Sequence, residues 1–594
     1  MRQFFNYFKR LYGQPERLAQ IGVWFALTIA LEVTIPLVVG WIIDLLQAGS
    51  GTNIPAIIKR LFSPASGKEA LFHNLIVLIG IYLLIITLRM FISYWRMVTC
   101  YLYRNTALLR LRDKFFSKIQ DATMSWLQSN NTGDLVQRAT TDMKEVGNFV
   151  TNGILAIVRQ IAFLIITICI MLILDWHIAL ICVLLLPLEL YLVYIFSVKL
   201  NALWQGYEEA DSAIVNYLQQ YFSGIRVVKA FGNQQFEEQN YEHLNSNLRQ
   251  AEYKTILPSV MMGFCTALIQ STLDVSVLAY GLYRAANGEI TLGELVVFMR
   301  YTYEVSENTR FLFFNLMNSV RIIVSMRRLD EVLIAEEEPD ESALKQVHLQ
   351  GNITFEHVDF CYPQSERQVL TDINLEIKAG ETVGFFGATG SGKSTMLLLL
   401  QKLYQPSAGQ IKFDGIPLDE IDRTCLRKQI TINFQDAFIF SRPLADNIRL
   451  SYPEMSDEEV RHYAHLAQLD KEVERFTDGY QTMIGERGVT LSGGQKQRLA
   501  IARTLTRKSK IVAFDDSLSA VDMQTEQKLR QLINEESEKS TTIIVSHRVA
   551  SLLNADKVVV FDHGRIVEVG TPQELIAGTG LFARIYDMQQ KYAR

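Results

Sequence analysis

The chain has 594 residues with 63 acidic side chains against 58 basic ones, for a net charge of −5. That length exceeds one compact domain, and the charge balance lacks the basic face that a nucleic-acid partner requires. Mean hydropathy is only +0.11, yet apolar residues gather before about residue 330 and charged ones after it, so the average hides two unlike halves.

In chain order, Met1 to Arg17 interleaves Phe, Tyr and Leu with Arg2, Lys9, Arg10 and Arg17. This pattern predicts an amphipathic helix on a cytoplasmic membrane face, and no small-residue cleavage site marks it as a signal peptide. Apolar segments of the roughly 20 residues needed to cross a bilayer occur near 19–46, 74–99, 152–174, 177–198, 259–283 and 292–325. They predict an all-α six-helix transmembrane domain over residues 1–330. Fewer than twenty residues precede the first span, so no peptide-processing protease domain is expected there. Pro36 and Pro187 fall within spans, where kinks are tolerated. Glu32 and Asp274 are carboxylates at apparent membrane depth, which makes them candidates for substrate or proton contact unless they snorkel to an interface.

The sixth segment is interrupted by Arg300, Glu304, Glu307 and Arg310. Their spacing puts all four on one side of a helix with opposite charges adjacent. They are either a self-neutralised interhelical network or the lining of a watery cavity, and both can hold. Its aromatic residues and Met317 suit a hydrophobic ligand, lipid contact or helix packing alike. Spans three and four are joined by little more than Asp175-Trp176-His177, whereas spans two and three, and four and five, are separated by about fifty residues with helical patterns continuing out of the membrane. Arg104, Arg110, Arg112, Lys114 and Lys118 follow span two and place that side in the cytoplasm. Lys59, Arg60 and Lys68 after span one weaken the charge argument; the phosphate loop described next decides it, because ATP is inside. Six cysteines show no metal-ligand spacing, and four lie in apolar stretches, where small buried residues are expected.

Residues 331–349 form an acidic linker in which Glu336-Glu-Glu-Pro-Asp340 ends the helical pattern. Short strands and helices then alternate over 350–594, predicting an α/β P-loop nucleotide-binding domain on a largely parallel sheet, with a helical subdomain. Gly387-Ala-Thr-Gly-Ser-Gly-Lys-Ser394 fits the phosphate-loop pattern between an apolar strand and an apolar helix. Gly387, Thr389, Gly390, Ser391, Gly392 and Thr395 would surround a triphosphate with backbone N–H groups, Lys393 would reach its terminal phosphates, and Ser394 would bind Mg²⁺. Tyr362, just after a strand, can stack on adenine or be an ordinary core tyrosine. Gln435 follows a strand in position to sense Mg²⁺ and the terminal phosphate. Ser492, Gly493, Gly494 and Gln495 open a helix whose N–H groups can approach an anion. Asp515 ends a buried strand and suits Mg²⁺; Asp516, Asp522 and His547 follow in order.

Leu491-Ser-Gly-Gly-Gln495, lying between the phosphate loop and the strand that ends in Asp515, resembles the signature of the ABC transporter family. The resemblance spans nearly the whole chain and is closest to an exporter half-transporter. Gly133 to Asp142 and Gly224 to Gly232 are similar to segments that flank that family's coupling helices, and Gly288 to Leu295 to its start of span six. The resemblance implies head-to-tail pairing of two nucleotide domains, each ATP held by the phosphate loop of one chain and the signature of the other, with Gln435, Asp516 and His547 serving hydrolysis. It also implies an obligatory second half-transporter, a membrane setting with lipid contact, and export of amphipathic small molecules. Lipid flipping, peptide export, or a regulatory subunit whose own hydrolysis is dispensable are alternatives. One departure stands out: the family's fast hydrolysers carry Glu after the metal-binding Asp, and this chain has Asp516. A carboxylate set back by about 1 Å can cost on the order of 10²-fold in rate. With an intact signature, the chain is similar to the degenerate half of bacterial heterodimeric multidrug exporters, so a heterodimer is favoured over a homodimer.

Overall fold

The computed structural model describes residues 15–48, 54–62, 68–149, 153–363, 365, 367–485, 488, 491–517 and 540–592, apart from the side chains at 48, 317, 318, 320, 321 and 592. The predicted helix before Pro15, Asp522 and the Met317 side chain therefore lie outside the described residues. Contacts divide the chain into two units, Met1–Gln120 with Thr132–Ala335, and Asp121–Asn131 with Glu336–Arg594.

The first unit is helical. Its long helices are α1 (Pro15–Ala48), α2 (Lys68–Asp121), α3 (Leu155–Leu174), α4 (Trp176–Ser223), α5 (Gln234–Ala286) and α6 (Leu292–Leu333). The first five are long and apolar enough to cross a membrane. α2, α4 and α5 run to 54, 48 and 53 residues, well beyond the roughly 20 that a bilayer needs, so they project out of it as the pattern predicts. Pro36 and Pro187 lie inside continuous helices.

Among the described residues α6 does not meet the length and composition of a span, and its packing explains why. Phe298, Tyr301, Thr302, Val305, Ser306 and Thr309 are buried, and α6 packs against α1, α3, α4 and α5. A helix enclosed by other helices needs little lipid-facing apolar surface, so it can carry charge on its remaining side. Tyr301 donates its hydroxyl to the Val33 carbonyl at 2.6 Å, which makes this aromatic a packing residue.

Turns between helices are fixed by capping. Asp175 caps α4 by accepting from the His177 and Ile178 amides at 2.9 and 3.3 Å, and it pairs with Arg284 at 2.7 Å. Thr291 and Glu294 form a capping box at the start of α6. The buried Asp44 of α1 accepts from the Gly293 amide and the Thr291 hydroxyl, both at 2.8 Å. This approach demands glycine, because a Cβ on Gly293 would stand 2.2 Å from the Gly40 carbonyl oxygen. Gly293→Ala is expected to destabilise the helical unit by about 1–3 kcal/mol through overpacking. Thermal unfolding of the detergent-solubilised protein checks this, and an unchanged midpoint would refute the close-packing argument.

The cysteine expectation needs correction. Of the four in apolar stretches Cys182 is buried, but Cys169 is exposed and Cys100 and Cys265 are half-buried, because apolar helix faces turned outward belong to lipid and not to a protein core.

The second unit has two sheets. β1 (Ile353–Cys361), β2 (Gln368–Ile377), β4 (Ala408–Phe413) and β5 (Ile416–Pro417) make an antiparallel sheet in the order β2-β1-β4-β5. The larger sheet contains β3 (Thr382–Gly387), β6 (Ile430–Asn433), β7 (Ile511–Asp515), β8 (Thr541–Ser546), β9 (Lys557–Asp562) and β10 (Arg565–Gly570), in the order β10-β9-β3-β8-β7-β6. All its pairings are parallel except β9 with β10. One core fills the space between the sheets and helix α7 (Lys393–Leu400). A second packs α8 (Asp457–Leu466) and α9 (Gly493–Leu505) on the other face, through Phe386, Phe514 and Ile544.

The acidic segment after α6 is not a free tether. Glu338 pairs with Arg423 and Arg427 at 2.5 and 2.8 Å, and Glu341 with Lys402 and Arg423 at 3.0 and 3.1 Å. The short helix Met124–Ser129 also belongs to this unit: the Thr123 amide donates to the Glu336 carbonyl at 2.9 Å, and Tyr404 donates to Gln128 at 2.6 Å.

Candidate nucleotide site

Parallel pairing sends the carboxyl ends of β3, β6, β7 and β8 to one edge of the sheet, where α/β proteins place their ligands. The phosphate loop follows β3, Gln435 lies just beyond β6, Asp515 ends β7 with Asp516 next to it, and His547 follows β8. Residues more than 150 positions apart thereby line one cavity of 460 Å³.

The loop is built for close backbone approach. Gly392 has φ +102°, and a Cβ there would meet the Leu370 side chain at 2.5 Å, so no other residue fits. Lys393 is buried, and its ammonium donates to the Gly387 and Ala388 carbonyls at 2.8 and 2.7 Å. Burial pushes its pKa down, while Asp515 and Asp516 oppose that shift. The ammonium thus lies within the turn, next to where anionic oxygens would be held.

Asp515 is 5% exposed. Burial pushes its carboxyl above the ordinary range; Asp516 adds to the shift, and the Ser394 hydroxyl and Lys393 counter it. A buried carboxylate beside a hydroxyl, with a second carboxylate adjacent, is a hard oxygen donor set that a divalent cation would keep ionised. Asp515, Ser394 and Gln435 therefore fit Mg²⁺, whose charge when bound neutralises developing phosphate charge.

Asp516 adopts φ +47°, a left-handed conformation that Asp tolerates better than most residues. Its amide donates to the Val545 carbonyl at 3.0 Å, and its carboxylate lies 2.9 Å from His547 Nδ1. Tyr362 lines the same cavity; its hydroxyl is 3.1 Å from that of Thr395, and Phe360 and Tyr404 brace its ring edge-on.

Ser492, Gly493, Gly494 and Gln495 do not line this cavity among the described residues. They start α9, where the Ser492 hydroxyl accepts from the Gln495 amide and the Ser492 amide donates to Gln495 Oε1 at 2.8 Å. Leu491 is buried and anchors the segment, Gly493 is exposed, and a Cβ on Gly493 would meet nothing within 4 Å among the described residues. The helix start is therefore an open set of N–H donors.

Of the membrane candidates, Arg300 pairs with Glu304 at 2.9 Å and Arg310 pairs with Glu307. Asp274 accepts from Gln270 at 2.9 Å. Glu32 pairs with Arg159 at 3.0 Å and Arg89 at 3.7 Å, so its partners are basic side chains of two other helices. Reading the sequence missed Arg89, Arg96 and Arg159, and also Glu189, which is 1% exposed on α4. The signal was available: Arg89 and Arg96 are seven residues apart within an apolar run, which puts them on one helix face.

A phosphate-loop ATPase domain with an inserted helical layer and an open signature helix, preceded by long membrane-crossing helices, defines an ATP-binding membrane transporter. Residues 19–303 match the family model "ABC transporter transmembrane region" and residues 370–519 match "ABC transporter". The chain is 30% identical over 597 residues to the "Uncharacterized ABC transporter ATP-binding protein YwjA" of Bacillus subtilis (strain 168), covering 99% of each. It is 32% identical over 560 residues to the "Putative multidrug export ATP-binding/permease protein" of Staphylococcus aureus (strain N315), covering 92% of this chain and 96% of that one. Its fold matches the "Structure of a bacterial Atm1-family ABC exporter with ATP bound" with a TM-score of 0.80 at 23% identity, over 97% of this chain and 98% of that one. The chain belongs to the ABC transporter family, as an exporter-type half-transporter of the membrane with its nucleotide-binding domain on the cytoplasmic side.

Proposed function

We propose that this chain is one half of a heterodimeric ATP-driven exporter of amphipathic small molecules. In this reading its own phosphate-loop site turns over slowly, and its signature helix completes a fast site on the partner. The observation that carries it is Asp516: a carboxylate one methylene shorter than glutamate, on a backbone bonded to β8 and paired with His547, beside a signature segment with an open helix start.

Lys393, Gly390, Ser391 and Thr395 would bind the triphosphate, Tyr362 would face the base, and Asp515, Ser394 and Gln435 would hold Mg²⁺. Asp516 would orient the attacking water and His547 would hold the terminal phosphate, the pairing of the two being broken in the process. Asp522 would act beside the partner's site.

Support for the substrate class comes from an 810 Å³ cavity in the helical unit. Trp204, Tyr207, Phe311, Phe313 and Phe314 form its apolar wall, and Glu307 and Arg310 also line it, a combination that suits an amphipathic ligand. The S. aureus relative is named for multidrug export, in keeping with this. Glu32, Asp274, Arg300 and Glu304 would contribute polar positions along the translocation path.

Steady-state ATPase activity of the chain purified alone in lipid tests the reading. Turnover near background is expected; brisk turnover would make a functional homodimer the working description. Asp516→Ala in the assembled pair separates catalysis from binding: transport left unchanged would assign this site a regulatory role.

A further inference from the structure

The helical unit carries more guanidinium charge beside α1 than its carboxylates neutralise. Arg89, Arg96, Arg159 and Arg300 stand near Glu32 and Glu304, and the pairs Arg159 with Glu32 and Arg300 with Glu304 use both carboxylates. Arg96 is left without an acidic partner among the described residues. Its Nη2 donates to Ser93 on its own helix at 3.0 Å, its guanidinium sits 5.4 Å from the centre of the Phe25 ring, and its Nε is buried with no hydrogen-bond partner.

This side chain opens into a cavity of 340 Å³ between α1, α2 and α3. Arg96 and Arg159 supply its charge, and Phe25, Met97, Tyr101 and Ala156 supply apolar wall. Its depth can be read from α2. Tyr94, Trp95 and Tyr101 are exposed aromatics around Arg96, and Arg104, Arg110 and Arg112 follow within five turns. Exposed aromatics followed by cationic residues mark the cytoplasmic interface.

We propose that this cavity binds the phosphodiester headgroup of an anionic phospholipid of the cytoplasmic leaflet. Arg96 and Arg159 take the phosphate oxygens, for which the guanidinium fork is suited; Phe25, level with Arg96, meets the start of an acyl chain, and Met97 and Tyr101, on the cytoplasmic side of Arg96 along α2, flank the rest of the headgroup. A snorkelling arginine would keep its polar atoms in water, which the buried Nε of Arg96 does not do. A soluble phosphate would gain nothing from the apolar wall. A zwitterionic lipid brings its own ammonium to the phosphate and leaves the excess charge of the site unmet, so basic pockets between membrane helices favour anionic headgroups.

Native mass spectrometry of the full-length protein in neutral detergent tests this, with titration of phosphatidylglycerol, phosphatidylethanolamine and sn-glycerol 3-phosphate. The expected result is about tenfold preference for phosphatidylglycerol over phosphatidylethanolamine, with Arg96→Gln lowering phosphatidylglycerol affinity about fivefold. Ala156→Trp, which fills the cavity without changing charge, should lower it similarly. Equal affinity of the wild-type protein for the two lipids overturns the proposal whatever the variants do. Binding unmoved by both substitutions overturns it as well, and glycerol phosphate binding as tightly as the lipid makes the site one for soluble anions.

Discussion

Asp516→Glu is expected to raise the steady-state ATPase rate of the purified chain by on the order of 10²-fold, since a displacement of about 1 Å at a reacting group has that effect. The backbone at 516 is fixed by its hydrogen bond to Val545, so side-chain length decides how far the carboxylate reaches. Asp516 ends 2.9 Å from His547 Nδ1, and the added methylene lets the carboxylate reach beyond that contact into the cavity it lines. Glutamate is less at ease at φ +47°, and a small loss of thermal stability, about 1 kcal/mol, should accompany the gain. Lys393→Ala in the same background should return turnover to background, which excludes a contaminating ATPase. A variant no faster than the wild type would sink the length argument.

Gly493→Asp is expected to reduce ATPase activity of the assembled dimer by about 10²-fold or more without unfolding this chain. Oxyanion donors removed from other enzymes cost about 10²–10³-fold, and a carboxylate at the start of α9 also repels the phosphate those amides would bind. The chain itself should tolerate the change. Among the described residues a Cβ at 493 meets nothing within 4 Å, and an acidic residue in the first turn of a helix stabilises it by roughly 0.3–1 kcal/mol. An unchanged melting temperature with lost turnover is therefore the signature of a site completed across two chains. Undiminished turnover would mean that the signature helix of this chain serves no nucleotide.

The segment after residue 292 has the weakest span composition, yet α6 is the most enclosed of the six long helices, with Phe298 and Tyr301 inaccessible. Composition reports what a helix needs where lipid touches it, and a central helix is touched mostly by other helices. The acidic run at 336–341 reads from its charge as a linker at a domain boundary, and in the structure Glu338 and Glu341 are tied to Arg423, Arg427 and Lys402. Their partners lie 60 or more residues away, so a local charge count cannot find them.

The family, the membrane-crossing helices and the candidate phosphate-binding loop are legible in one dimension, because each depends on contiguous residues: a bilayer's thickness of apolar side chains, or eight residues whose amides would turn around one anion. Asp516 is legible in the same way, since it stands at a fixed offset of one residue from Asp515. Helix packing sets the rest: Glu32 answers to Arg89 and Arg159, Asp44 caps α6 across a Gly40 and Gly293 contact, and Arg96 has no carboxylate partner among the described residues. Those facts depend on which faces of separate helices meet, and the rotation and depth at which helices pack are set by side chains far apart in the chain.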